Sequence, residues 1–134
     1  MNREIKFRGK NKFYDNWFYG YLTKEENKYF ITKNSSEFYQ IDPKTIGQYT
    51  GLKDKNGKEI YEGDIVDIHQ TVNGYNQFVI EYSDYKFSSR YYNQNKKEIR
   101  SFYNYDLDEF FEINELEKEL EVIGNIYESE KVNE

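Results

Sequence analysis

The sequence predicts a mostly β protein with one short helix, and three observations carry that reading. Polar and apolar side chains alternate over short runs, the period-two pattern of half-buried strands. Glycine-centred breaks, Asn56-Gly57 and Asn73-Gly74 foremost, punctuate those runs at hairpin spacing. The apolar content is carried by rings: hydrophobic residues make up 37% of the chain, and 15 Tyr, 10 Phe and one Trp account for about half of them. Rings bury much area each, and tyrosine keeps a polar tip for water or a hydrogen bond. A chain this rich in aromatic and β-branched residues is not disordered, despite its hydrophilic average.

Taken in order, residues 4–8 alternate as a first strand, and 17–22 (WFYGYL) read as a second after a turn-like 10–15. A polar turn at 24–27 leads to a third strand at 28–32, and 38–41 continues in β before Asp42-Pro43. Pro43 fixes φ and biases Asp42 towards extended geometry, so a turn belongs there. Residues 46–52 and 58–61 flank Asn56-Gly57, where a type I′ turn would need φ > 0 at both central positions. Beyond Gly63-Asp64 come strands at 65–72, 75–82, 85–92 and 97–105, and a last one at 120–127. The helix is expected over 106–118, where Leu107, Phe110, Phe111 and Asn114 follow helical spacing and Asp106, Asp108 and Glu109 suit the positive end of the dipole. Residues 129–134 are expected to fray. Periodicity alone gives an all-β meander with a strand-rich lobe over 1–60 ahead of it.

Composition narrows the chemistry. At 134 residues the chain has room for one domain or two small fused lobes. There is no cysteine, which excludes disulfides, thiolate nucleophiles and thiolate metal sites. No apolar run approaches the length needed to span a bilayer. The net charge of −6 is unevenly spread: residues 1–105 hold 17 Lys/Arg against 14 Asp/Glu, whereas 106–134 hold two against 11. Local potential of this kind steers partners.

The stretch 48–66, QYTGLKDKNGKEIYEGDIV, resembles the signature of the YopX family of phage and prophage proteins. REIKFRG at 3–9 and EVIGNIYE at 121–128 agree with the same pattern, in the same order, so the resemblance spans nearly the whole chain. It implies an SH3-like barrel over about 61–128 and brings no activity with it, since the family has no established biochemical function; we expect neither enzymatic activity nor a cofactor. It also implies a bacterial host. There, the charged opening MNREIK, where a secretion signal would be apolar, leads us to expect a cytoplasmic protein.

Candidate sites are weighed against plainer readings. Glu62, Asp64 and Asp67 surround Gly63 and offer carboxylates for a divalent cation or acid–base work. Strand spacing sends Asp64 and Asp67 to opposite faces, which favours a solvated turn with Asp64 bonding nearby amides. His69, the only histidine, shares a face with Asp67 and can pair with it, but no serine sits in a nucleophile-elbow sequence. The turn glycines match no phosphate-binding fingerprint. We therefore expect no catalytic or metal-binding residues, with metal-dependent hydrolysis through Glu62, Asp64, Asp67 and His69 as the rival.

Two surfaces remain. Tyr85, Arg90, Tyr91, Tyr92, Lys96, Lys97 and Arg100 interleave rings with cations, the composition of single-strand nucleic-acid binders, or equally of a core with a solvated face. Glu115, Glu117, Glu119 and Glu121 make an acidic surface that can imitate a phosphate backbone, or simply face water. The expectation is a non-enzymatic binding module contacting a host or phage protein, with nucleic acid as the alternative, self-association as a further use of the rings, and no membrane.

Overall fold

The computed structural model describes residues 4–11, 13–72, 74–83, 86–93, 95–106 and 119–128, with only the backbone given at 72, 83 and 98–106. Two compact units divide the chain, Met1–Gly51 and Leu52–Glu134. Among the described residues the only helical element is a 3-10 turn at Pro43–Thr45, and no helix is long and apolar enough to cross a membrane. The helix expected over 106–118 lies outside the described residues, except Asp106, which ends a strand.

The first unit is built from β1 (Phe7–Lys10), β2 (Trp17–Glu25), β3 (Lys28–Asn34), β4 (Glu37–Ile41) and the start of β5 (Gly47–Lys53). These pair antiparallel in the order β4-β3-β2-β1-β5. Each turn has a visible cause. Glu26 and Asn27 both take positive φ, 51° and 75°, the type I′ geometry whose twist matches two flanking strands. Asn34 accepts the N–H groups of Ser36 and Glu37 on its Oδ1, closing the β3–β4 turn. Asp42 does the same for Lys44 ahead of Pro43. The sheet curls until the end of β4 meets β1: Ile41 bridges Asn11, and Asp42 N–H donates to Lys10 C=O at 2.8 Å. Gly9 permits this, because a Cβ there would lie 2.3 Å from Ile41 Cδ1. Ile31 and Ile41 form the buried centre on this inner side.

The second unit contains the end of β5, β6 (Glu59–Tyr61), β7 (Asp64–Val72), β8 (Tyr75–Ser83), β9 (Lys86–Asn93), β10 (Glu98–Asp106) and β11 (Glu121–Asn125). β6 pairs with β5, and the other five form an antiparallel sheet in the order β10-β9-β8-β7-β11. Strands β7, β8 and β9 carry buried side chains on both faces. Val66, Phe78, Ile80, Phe87 and Tyr91 pack with Ile60, Ile68 and Leu120, while Ile65, Val79 and Tyr92 pack with Ile126 on the reverse. Each fully buried ring or branched side chain stabilises by roughly 1.5–3 kcal/mol, which makes this sheet the main store of hydrophobic energy. Among the described residues the expected SH3-like barrel is not seen to close: β10 and β11 stand at the two ends of the strand order. Continuous burial of neighbours such as Ile65-Val66 and Tyr91-Tyr92 replaces the one-sided alternation of a meander.

Candidate functional site

Asp54 organises the segment that carries the family signature. It opens the β5–β6 loop, and its Oδ1 accepts the N–H groups of Asn56 and Lys58 at 2.8 and 2.9 Å. Gly57 takes φ +82° and Gly57 N–H donates to Asp54 C=O, so the loop is a turn followed by one left-handed residue. Asn56 is not in the positive-φ region, and the I′ turn expected here is instead found at Glu26-Asn27. The other oxygen, Oδ2, accepts Val122 N–H at 3.0 Å, and Lys55 N–H donates to Leu120 C=O. Burial pushes the Asp54 carboxyl up, but the three backbone donors from Val122, Lys58 and Asn56, with the Lys58 charge, outweigh it and leave its pKa below the ordinary carboxylate value.

The neighbouring carboxylates serve the same joint. Asp64 is buried rather than solvated, and its Oδ2 accepts Tyr61 N–H at 2.8 Å, three residues back. Gly63, at φ +93°, donates to Ile80 C=O and accepts from Ile126 N–H. The segments 48–66 and 121–128 thus interlock through Asp54–Val122, Gly63–Ile126 and the pairing of Asp64 with Asn125. Their residues hold β11 onto β7.

His69 stands on the exposed flank of this joint. It takes φ +56° where the β7–β8 register shifts, and Asp67 Oδ1 accepts its N–H at 2.8 Å. Its Nε2 lies 3.0 Å from Glu121 Oε1, and its Nδ1 3.8 Å from Asp67 Oδ1. Lys55 Nζ approaches the same Glu121 oxygen at 3.9 Å. Asp64, inside the turn, is not part of this cluster, and among the described residues no group of three His, Asp or Glu is placed to hold a metal ion.

The ring-and-cation set of the second unit is divided by the sheet. Tyr91 is buried on one face, stacked on Tyr75 at 4.6 Å and tilted against Phe78. Tyr92 is buried on the other, which Arg90 shares, and Arg90 Nε sits 2.8 Å from Glu81 Oε2. Lys96 and Lys97 are exposed in the β9–β10 turn. Tyr85 lies outside the described residues, and Arg100 is given by its backbone, opposite Tyr91. Of the acidic set, Glu115 and Glu117 lie outside the described residues, Glu119 is exposed, and Glu121 is the half-buried partner of His69.

A different surface presents rings to solvent. Register places Tyr21, Thr32 and Phe38 in one row across β2, β3 and β4, on the outer face of the first unit. Tyr21 is 67% exposed, Phe38 63% and Tyr19 42%. Phe30, on the same face, meets Phe38 edge-on at 6.0 Å. At the β1 end Arg8 stacks over Trp17 at 4.8 Å, and Lys10 pairs with Asp15. Sequence reasoning passed over this face because an alternating ring has the same signature whether its side of the sheet is packed or open.

A mostly β chain of two units, the second stapled by its own signature segments and the first presenting an exposed aromatic face, is the class of protein that fold and surface define. It belongs to the YopX family: the family described as YopX protein matches residues 2–132, in agreement with the resemblance seen in the three segments. The crystal structure of protein EF1440 from Enterococcus faecalis is similar over 99% of this chain and 100% of that one, with a TM-score of 0.57 and 23% sequence identity. At that identity the likeness concerns the fold alone. No curated protein matches the chain.

Proposed function

We propose that the protein is a non-enzymatic binding module, made by a phage or prophage and acting in the cytoplasm of its bacterial host, with the open aromatic face of the first unit as its working surface. The observation that supports this is the exposure of Tyr21 and Phe38 in one cross-strand row. Large rings left in water forgo the free energy of burial, and such a face on a rigid sheet suits a macromolecular partner. Tyrosine and phenylalanine give wide contact area while freezing only two rotors each. The second-unit set is a poorer surface, because Tyr91 and Tyr92 belong to the core.

The test is affinity capture from host and phage-infected lysates, with the tagged wild type beside the Tyr21→Ser/Phe38→Ser double variant. A partner recovered by the wild type and lost by the variant is expected. Recovery that is identical for both baits, or nil for both, overturns the reading.

A further inference from the structure

Resting on that reading of the face, we propose that its partner is a second copy of this chain, packed face to face across a two-fold axis that runs between β2 and β3. The pairing register lays the face out as a checkerboard. Tyr21 lies opposite Thr32 in one row and Thr23 opposite Phe30 in the next, so ring and threonine alternate both along and across the strands. Phe38 continues the first row on β4, and Gln40 the second. Glu25 and Lys28 lie opposite each other in the last row, and both are exposed. Arg8 and Lys10, at the β1 end, are buried and engaged by Trp17 and Asp15. The exposed rows therefore carry one charge of each sign.

A two-fold axis lying on the face sets each residue over the position that its cross-strand neighbour holds in the other copy. Tyr21 of one copy then covers Thr32 of the other, and Phe30 covers Thr23. Facing sheets pack about 10 Å apart, a gap that a ring and a threonine fill together, where two rings would overfill it and two threonines would leave a void. Glu25 comes over Lys28 of the second copy, and Lys28 over its Glu25, which makes two ion pairs by symmetry. The face thus complements itself in size and in charge at the same residues. The curl of the sheet leaves this side convex with β2 and β3 along its crest, which is where the axis lies. At roughly 200 Å² per residue, Tyr21, Phe38 and Tyr19 leave about 350 Å² of ring surface in water on each copy. That is over half of the roughly 600 Å² that each partner gives to the smallest specific interfaces, which suits a weak, concentration-dependent dimer.

The experiment is sedimentation velocity of the full chain from about 1 to about 300 μM, the span over which a contact of this size dissociates. The sedimentation coefficient is expected to rise from monomer to dimer and no further. Tyr21→Ser should weaken the dimer by about tenfold or more. Tyr82→Ala, in the second unit, should leave it unchanged. Glu25→Lys and Lys28→Glu should each weaken it by about three- to thirtyfold, because like charges then face each other twice. Mixing these two variants one to one restores opposite charges between chains but not within either chain, so the mixture is expected to dimerise as the wild type does. Circular dichroism confirms that each variant is folded. A monomer at every concentration, an oligomer insensitive to Tyr21→Ser or sensitive to Tyr82→Ala, or a mixture no tighter than its components overturns the proposal. In the capture experiment the dimer appears as the untagged chain drawn from infected lysate. If the rings instead hold a different protein, the working surface stands and only the second copy falls as its partner.

Discussion

Asp54 and Val122, 68 residues apart, are joined by one hydrogen bond of 3.0 Å from the Val122 N–H to Asp54 Oδ2. The same carboxylate satisfies Asn56 and Lys58, so one side chain ties the β5–β6 loop to the last strand. Removing it orphans three backbone donors, each worth about 1 kcal/mol or more when partly buried. Asp54→Ala is expected to lower unfolding free energy by about 3 kcal/mol, measured by urea titration. Asp54→Asn keeps one acceptor oxygen and should cost about half as much. A loss under about 0.5 kcal/mol for Asp54→Ala would remove Asp54 from the centre of the joint.

The same carboxylate sets a pH dependence. Its pKa is lowered in the folded state, so the unfolded chain binds the proton more readily in acid. Its contribution is fully present above the ordinary aspartate pKa of about 3.9, and it is lost as pH falls through the lower folded value. The stability gap between wild type and Asp54→Asn should therefore be wide at neutral pH and narrow below that value. Urea titrations at both ends of the range measure it, and a gap constant with pH would contradict the assignment.

How much was legible beforehand differs by level. The strands were, because alternation and glycine breaks are local, and the eleven strands among the described residues fall on the runs that carry those signals. Turn type was not: Glu26-Asn27 takes the I′ geometry that Asn-Gly composition assigns to Asn56-Gly57, since strand pairing on both sides can impose positive φ on Glu26 beside an asparagine that tolerates it. Nor was the role of Tyr91 and Tyr92, because a strand buried on both faces and a strand with one aromatic surface read alike. Asp54 did have a signal, an aspartate two and four residues ahead of amides in a glycine loop, but its bond to Val122 spans a distance that no local pattern reaches.

Two glycines separate packing from backbone freedom. A Cβ on Gly9 would stand 2.3 Å from Ile41 Cδ1 and 2.9 Å from Ile41 Cβ, where β1 and the end of β4 converge. Gly9→Ala should cost about 1–3 kcal/mol by overpacking. Gly124, in β11, has no atom within 4 Å of its Cβ position and no positive φ, so Gly124→Ala should be neutral or stabilising by up to about 1 kcal/mol. Thermal unfolding of the two variants side by side decides it; equal losses would mean that the approach of Ile41 to β1 is looser than the geometry states.

The distinction between an open face and a core is the last to test, and it needs no partner. Tyr21 and Phe38 are mostly exposed, whereas Phe78 and Tyr91 are buried against each other at a centroid distance of 5.2 Å. Tyr21→Ser and Phe38→Ser should each change stability by less than about 0.5 kcal/mol, since they remove little buried area. Phe78→Ala and Tyr91→Ala should cost about 3–5 kcal/mol through lost burial and the cavity left behind. Urea titration of the four variants reads this directly. If Tyr21→Ser proved as costly as Tyr91→Ala, the outer rings would be structural, and a surface that cannot be altered without unfolding the chain would lose its claim as the place where partners dock.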